Sequence, residues 1–135
     1  MRQIRHYGLA ALLMATSNAH AAFWQAENYA QRGVESYHGH AYRGDNDELR
    51  RFLNQVPGEM SGQSLNIELP MPDGSLATYR IFESSIMQPE LAAKFPQIRS
   101  FVVHGVDYPG SSGRVDISQK GFRGMVSTPY GRVFI

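Results

Sequence analysis

The chain has 135 residues, 42% hydrophobic and 19% charged, with 13 glycines and no cysteine. That length suits one domain, and that balance is globular rather than disordered. The absence of cysteine excludes disulfide staples, thiol redox chemistry and thiolate metal sites.

The first 21 residues read separately. Arg2 and Arg5 give a basic start, Gly8 to Ala15 a short apolar run, and Ala19-His20-Ala21 a small-x-small cleavage pattern. A run this short does not cross a bilayer, which takes about 20 apolar residues. The expectation is a cleaved signal over 1–21, with the mature domain at 22–135. No twin arginine precedes the apolar run and no cysteine follows it, so the general secretory route is expected, without lipid attachment. The product is secreted or periplasmic and has no membrane association after cleavage. Loss of Arg2 and Arg5 leaves 11 basic against 12 acidic residues, a net charge of −1. No nucleic-acid partner is therefore expected. A domain of this size buries roughly 65% of its unfolded surface, enough to fold without staples.

Residues 22–44 are aromatic and polar, with a weak alternation through Val34, Ser36, His38 and His40 that predicts the start of a strand. The aromatics Phe23, Trp24, Tyr29, Tyr37 and Tyr42 crowd this region and predict a packed N-terminal strand rather than a binding surface. Asp45 or Asp47 caps a helix over roughly 46–55, with Leu49, Phe52 and Leu53 on its buried face and Pro57-Gly58 as its stop. Leu65, Ile67 and Leu69 alternate with polar residues, as do Ala77, Tyr79 and Ile81. Between these runs Met71-Pro72-Asp73-Gly74 supplies turn chemistry, so the two runs form a hairpin. Pro89 opens a short helix, Leu91, Ala92 and Phe95 share a face expected to be core, and Pro96 ends it. Ile98 to Val103 reads as a buried strand, Asp107 to Gly113 as a loop and Arg114 to Ser118 as a strand. A second hairpin covers 121–127 and 131–135 around Pro129-Tyr130-Gly131. The expected class is α+β: an antiparallel sheet of about five to seven strands with two short helices.

Chemistry-bearing patterns are sparse. His38-Gly39-His40 is the densest group of metal-ligating side chains, and on a strand both rings share a face. Two ligands do not close a zinc site, and a third would have to come from His104 or an aspartate. No His-Glu-x-x-His and no Gly-x-Ser-x-Gly occurs. Gly110 to Arg114 (GSSGR) lacks the lysine and following helix of a phosphate loop and reads as a flexible turn. Asp45, Asp47 and Glu48 fail the spacing of a calcium loop and read as a helix cap. No catalytic residue and no cofactor is expected, and the chain does not read as an enzyme.

Leu69 to Phe101, LPMPDGSLATYRIFESSIMQPELAAKFPQIRSF, carries a series of ordered motifs. They are the Leu69-to-Gly74 turn, Glu83-Ser84, and the cassette from Met87 through Ile98. Gly105-x-Asp107-x-Pro109, Arg114-Val115-Asp116-Ile117-Ser118 and Gly121-Phe122 follow. Together they resemble the N-terminal region, propeptide-like, that precedes the catalytic domain in secreted bacterial reprolysin-like zinc metalloproteases. The resemblance covers roughly residues 40–135. It implies a domain that helps a protease fold, or masks it until release, and a secreted zinc metalloprotease as partner. A thiolate-to-zinc latch is ruled out by the lack of cysteine. The catalytic domain and its zinc ligands have no counterpart here, and Val133-Phe134-Ile135 reads as mid-strand with an exposed edge beside it. The rival expectations are a truncated remnant of a longer protease without activity, and a small metal-binding module using His38 and His40.

Overall fold

The computed structural model describes residues 23–27 and 40–135. Two antiparallel sheets and two helices make an α+β fold. Strands β1 (Trp24–Glu27) and β2 (Ala41–Gly44) pair as a small ribbon. Helix α1 (Asn46–Leu53) follows. Then comes a six-stranded meander of β3 (Leu65–Pro70), β4 (Leu76–Glu83), β5 (Arg99–Gly105), β6 (Ser112–Ser118), β7 (Gly121–Thr128) and β8 (Gly131–Phe134), each strand antiparallel to the next. Helix α2 (Pro89–Lys94) lies between β4 and β5.

Local chemistry explains the turns. Asp45 caps α1 by accepting hydrogen bonds from the N–H groups of Asp47 and Glu48 at 3.1 and 3.0 Å, using two donors the helix leaves unpaired. In the β3–β4 turn Gly74 donates to the Met71 carbonyl and adopts φ +86°, which disfavours any side chain. Asp73 accepts from the Ser75 N–H at 2.9 Å and the Ser75 hydroxyl at 2.6 Å. Thr128 does the same work in the β7–β8 turn, accepting from the Tyr130 N–H and donating to the Gly131 carbonyl.

The alternation sorts the sheet into two faces. Leu49 and Leu53 of α1 close the core against Ile67, Leu69, Tyr79, Ile81, Phe101, Val103, Val115 and Val126, all at most 1% exposed. Tyr79 keeps its hydroxyl in this core through a 2.9 Å hydrogen bond to the Ser111 hydroxyl. Pro70 to Pro72 line the same groove as Arg132 to Ile135, so the sheet curls until its first and last strands face each other. Trp24 bridges the gap. Its indole N–H donates to the Glu68 carbonyl on β3 at 2.7 Å, and its ring meets Phe122 of β7 edge-on at 5.4 Å. The β1–β2 ribbon is thus the packed N-terminal element expected from the aromatic cluster. Residues Tyr29 and Tyr37, like the proposed signal at 1–21 and the predicted strand start at 34–39, lie outside the described residues.

Two expectations change. Leu91 and Phe95 are 46% and 42% exposed, and α2 buries no residue. The six-residue helix lies along the β4–β5 connection, and α1 already covers the inner face of the sheet, so the spacing of Leu91 and Phe95 reports a shared face without a core beneath it. Strand β5 is buried on one face only, since Phe101 and Val103 are enclosed while Val102 is partly exposed.

Candidate binding groove

Most of the motif residues serve the scaffold. Glu83, at the end of β4, takes a bidentate pair of hydrogen bonds from Arg99 at the start of β5, at 2.9 and 2.6 Å. Arg99 also donates to the Asn54 side chain beyond α1 at 2.6 Å and lies over the Phe101 ring. Its hydrogen bonds to Glu83, more than their Coulomb attraction, raise its pKa above the ordinary arginine value. One fork therefore fastens both ends of the excursion that contains α2 to the end of α1. Arg114 donates to the Ser84 carbonyl and holds the same segment from β6. Asp107 accepts from the Thr78 N–H at 2.7 Å, tying the β5–β6 loop to β4. A methyl at Gly105 would stand 2.1 Å from the Tyr108 carbonyl oxygen, so only glycine lets that loop close.

The patterns weighed for chemistry resolve similarly. His38 lies outside the described residues. His40 is exposed, and its ring lies against Gly74, with its ring atoms 3.0 to 3.2 Å from where a methyl there would stand. His104 stacks on Phe82 at 5.5 Å on the outer face of the sheet. Among the described residues no three His, Cys, Asp or Glu side chains gather around a common point. The GSSGR segment is not a flexible turn throughout. Ser111 is 2% exposed and its N–H is spent on the Tyr108 carbonyl, while residues 112–114 belong to β6. Asp45, Asp47 and Glu48 form the capped first turn of α1.

What the fold leaves open is a groove of about 800 Å³ along β8. Trp24 and the β1–β2 ribbon form one wall, Pro70 to Pro72 the next, and Arg132 to Ile135 the third, with Leu49 and Val133 at its floor. Arg43, Lys120 and Arg132 line it together with His40. Among the described residues Glu27 is its one lining side-chain carboxylate, and it forms an ion pair with Arg43 at 2.5 Å.

The backbone of β8 adds to this. Gly124 and Ile135 exchange both N–H to carbonyl bonds, at 3.0 and 2.9 Å. In an antiparallel ladder such pairs alternate, so Gly131 and Val133 also bond to β7, while Arg132 and Phe134 turn their N–H and C=O groups to the open side. Among the described residues no strand pairs with that side of β8.

The sequence hinted at an open edge but not at the groove. Lys120 comes from the β6–β7 turn, Arg43 from β2 and Arg132 from β8, and nothing in their local sequence announces that they line one groove. No protein-family model, curated protein or solved structure matches the chain.

Proposed function

We propose that the protein is an exported, non-catalytic binding domain whose partner is a secreted zinc metalloprotease, which it helps to fold or holds masked. Two things support this reading. The ordered motifs from Leu69 to Phe122 resemble a metalloprotease propeptide. The observation that carries a binding role is the edge of β8, with which no strand pairs among the described residues, beside a groove of about 800 Å³, since main-chain groups left free at a sheet edge are a common means of holding an extended partner. The motif residues Glu83, Asp107 and Gly105 are occupied in holding the scaffold.

The test uses the full chain expressed with its leader in a secreting bacterial host. Export should give a mature N-terminus at Ala22. The exported product is then mixed with the separately refolded catalytic domain of a reprolysin-like zinc protease. A one-to-one complex with Kd of about 1 µM or tighter, together with either slowed peptide cleavage or a higher refolding yield, is the expected result. No complex and no effect on cleavage or refolding at saturating concentrations would overturn the reading.

A further inference from the structure

We propose that the β8 edge captures an extended, carboxylate-rich segment, which pairs with Arg132 and Phe134 as a seventh strand and lies beside the groove cations. The inference depends on the binding role above only for which protein owns that segment.

Three observations converge on this occupant. First, Arg132 and Phe134 present two donors and two acceptors to the open side of β8, with the spacing that an added antiparallel or parallel strand requires. Second, the groove beside that edge is bounded on its far side by the Trp24 ribbon, so there is room for one chain and a wall to hold it. Third, the described side chains that line the groove carry more positive than negative charge. Glu27 is committed to Arg43, and among the described residues no carboxylate pairs with Lys120 or Arg132. An extended segment with carboxylates at alternate positions would place them on one face, within reach of both cations. Arg132 and Phe134 share one face of β8, so the residues in between would fall on the opposite face, that of the apolar Val133, which also lines the groove.

A second copy of the chain fits less well. Pairing two β8 edges would bring the Lys120 and Arg132 clusters of both copies to one interface, and like charges placed together oppose association. Charge thus selects an acidic peptide over self-pairing.

The experiment titrates the exported chain with the blocked peptide acetyl-Glu-Val-Glu-Val-Glu-amide. The readout is the fluorescence of Trp24, the only tryptophan in the sequence, which lines the groove. Saturable binding with Kd on the order of 100 µM is expected. The lysine counterpart of the peptide should bind at least about tenfold more weakly, and so should the acidic peptide in about 1 M salt, where the screening length falls to about 3 Å. Methylating alternate backbone nitrogens of the acidic peptide keeps its charge but removes strand pairing, and should abolish binding. On the protein side, Lys120→Glu with Arg132→Glu changes two exposed side chains and should cost at least about tenfold in affinity with an unchanged circular dichroism spectrum. Equal binding of the lysine peptide or of the methylated peptide would overturn the proposal. So would a dimer in sedimentation that the same two substitutions fail to alter while the acidic peptide does not bind. Protease binding by the wild-type chain is scored separately. Its absence alongside peptide capture would refute the proposed partner and leave the edge site standing.

Discussion

Replacing Trp24 tests whether the β1–β2 ribbon is fixed to the sheet as one wall of the groove. The ring does three things. It donates a 2.7 Å hydrogen bond to the Glu68 carbonyl, it meets Phe122 edge-on at 5.4 Å, and it packs on Gly44, where a methyl would come within 2.9 Å of it. A net hydrogen bond contributes about 1 kcal/mol and an aromatic pair about 0.5–1.5 kcal/mol beyond its area. A fully buried Trp→Ala change costs about 3–5 kcal/mol, and this ring is only partly buried, so Trp24→Ala should lose about 2–4 kcal/mol. Trp24→Phe keeps most of the packing and removes the donor, and should lose about 1 kcal/mol. Urea unfolding followed by far-ultraviolet circular dichroism measures both, with the slope against urea unchanged. At about 4 °C per kcal/mol, the alanine variant should melt roughly 8–16 °C lower. A loss below about 0.5 kcal/mol for Trp24→Ala would mean that the ribbon does not anchor there, and the groove would lose its wall.

Further outcomes follow from the scaffold and its turns. Gly105→Ala puts a methyl 2.1 Å from the Tyr108 carbonyl oxygen, so the β5–β6 loop must shift and about 3 kcal/mol should be lost in the same urea assay; an unchanged midpoint would refute the close approach. Arg99→Ala leaves both Glu83 oxygens and the Asn54 side chain without their shared donor and should cost about 1–3 kcal/mol, with faster amide hydrogen exchange in residues 84–98. Phe95→Ala, at a ring 42% exposed, should cost about 1 kcal/mol, and a loss near 4 kcal/mol would mean that α2 is buried after all. The Ser75 hydroxyl, then its N–H, lowers the Asp73 pKa below the usual carboxylate value. A carboxyl depressed in the folded state stabilises the turn above its unfolded pKa, and that contribution is lost as pH falls through the folded value. The Ser75 amide resonance should therefore titrate in acid with a midpoint below the ordinary aspartate value, and Ser75→Ala should move the midpoint of Asp73 upward.

The hairpins were legible because their chemistry is local. Met71-Pro72-Asp73-Gly74 and the alternating runs around it specify both the turn and the register, and Asp45 with Leu49 and Leu53 specifies α1. The depth of burial was less legible. Leu91, Ala92 and Phe95 mark a helical face, but a period of 3.6 says only that residues share a side, not that another element covers it. Here α1 had already taken the inner face of the sheet. The groove was invisible for a related reason. Its walls come from positions 24, 70–72 and 132–135, and only the curl of six strands brings them together.

Among the residues that form motifs in this chain, Asp73 and Gly74 hold the β3–β4 turn, Glu83 takes the Arg99 fork and Gly105 allows a close approach. Such roles demand particular side chains, which is why they form readable motifs. An edge strand makes the opposite demand. It binds through main-chain N–H and C=O groups, which every residue but proline carries in full, so β8 can hold a partner while its sequence, Gly131 to Phe134, stays unremarked. Side chains then supply selection, here through Lys120 and Arg132. Changes within the motifs should accordingly weaken the fold and binding together, whereas charge reversal at the groove should weaken binding and leave the fold intact.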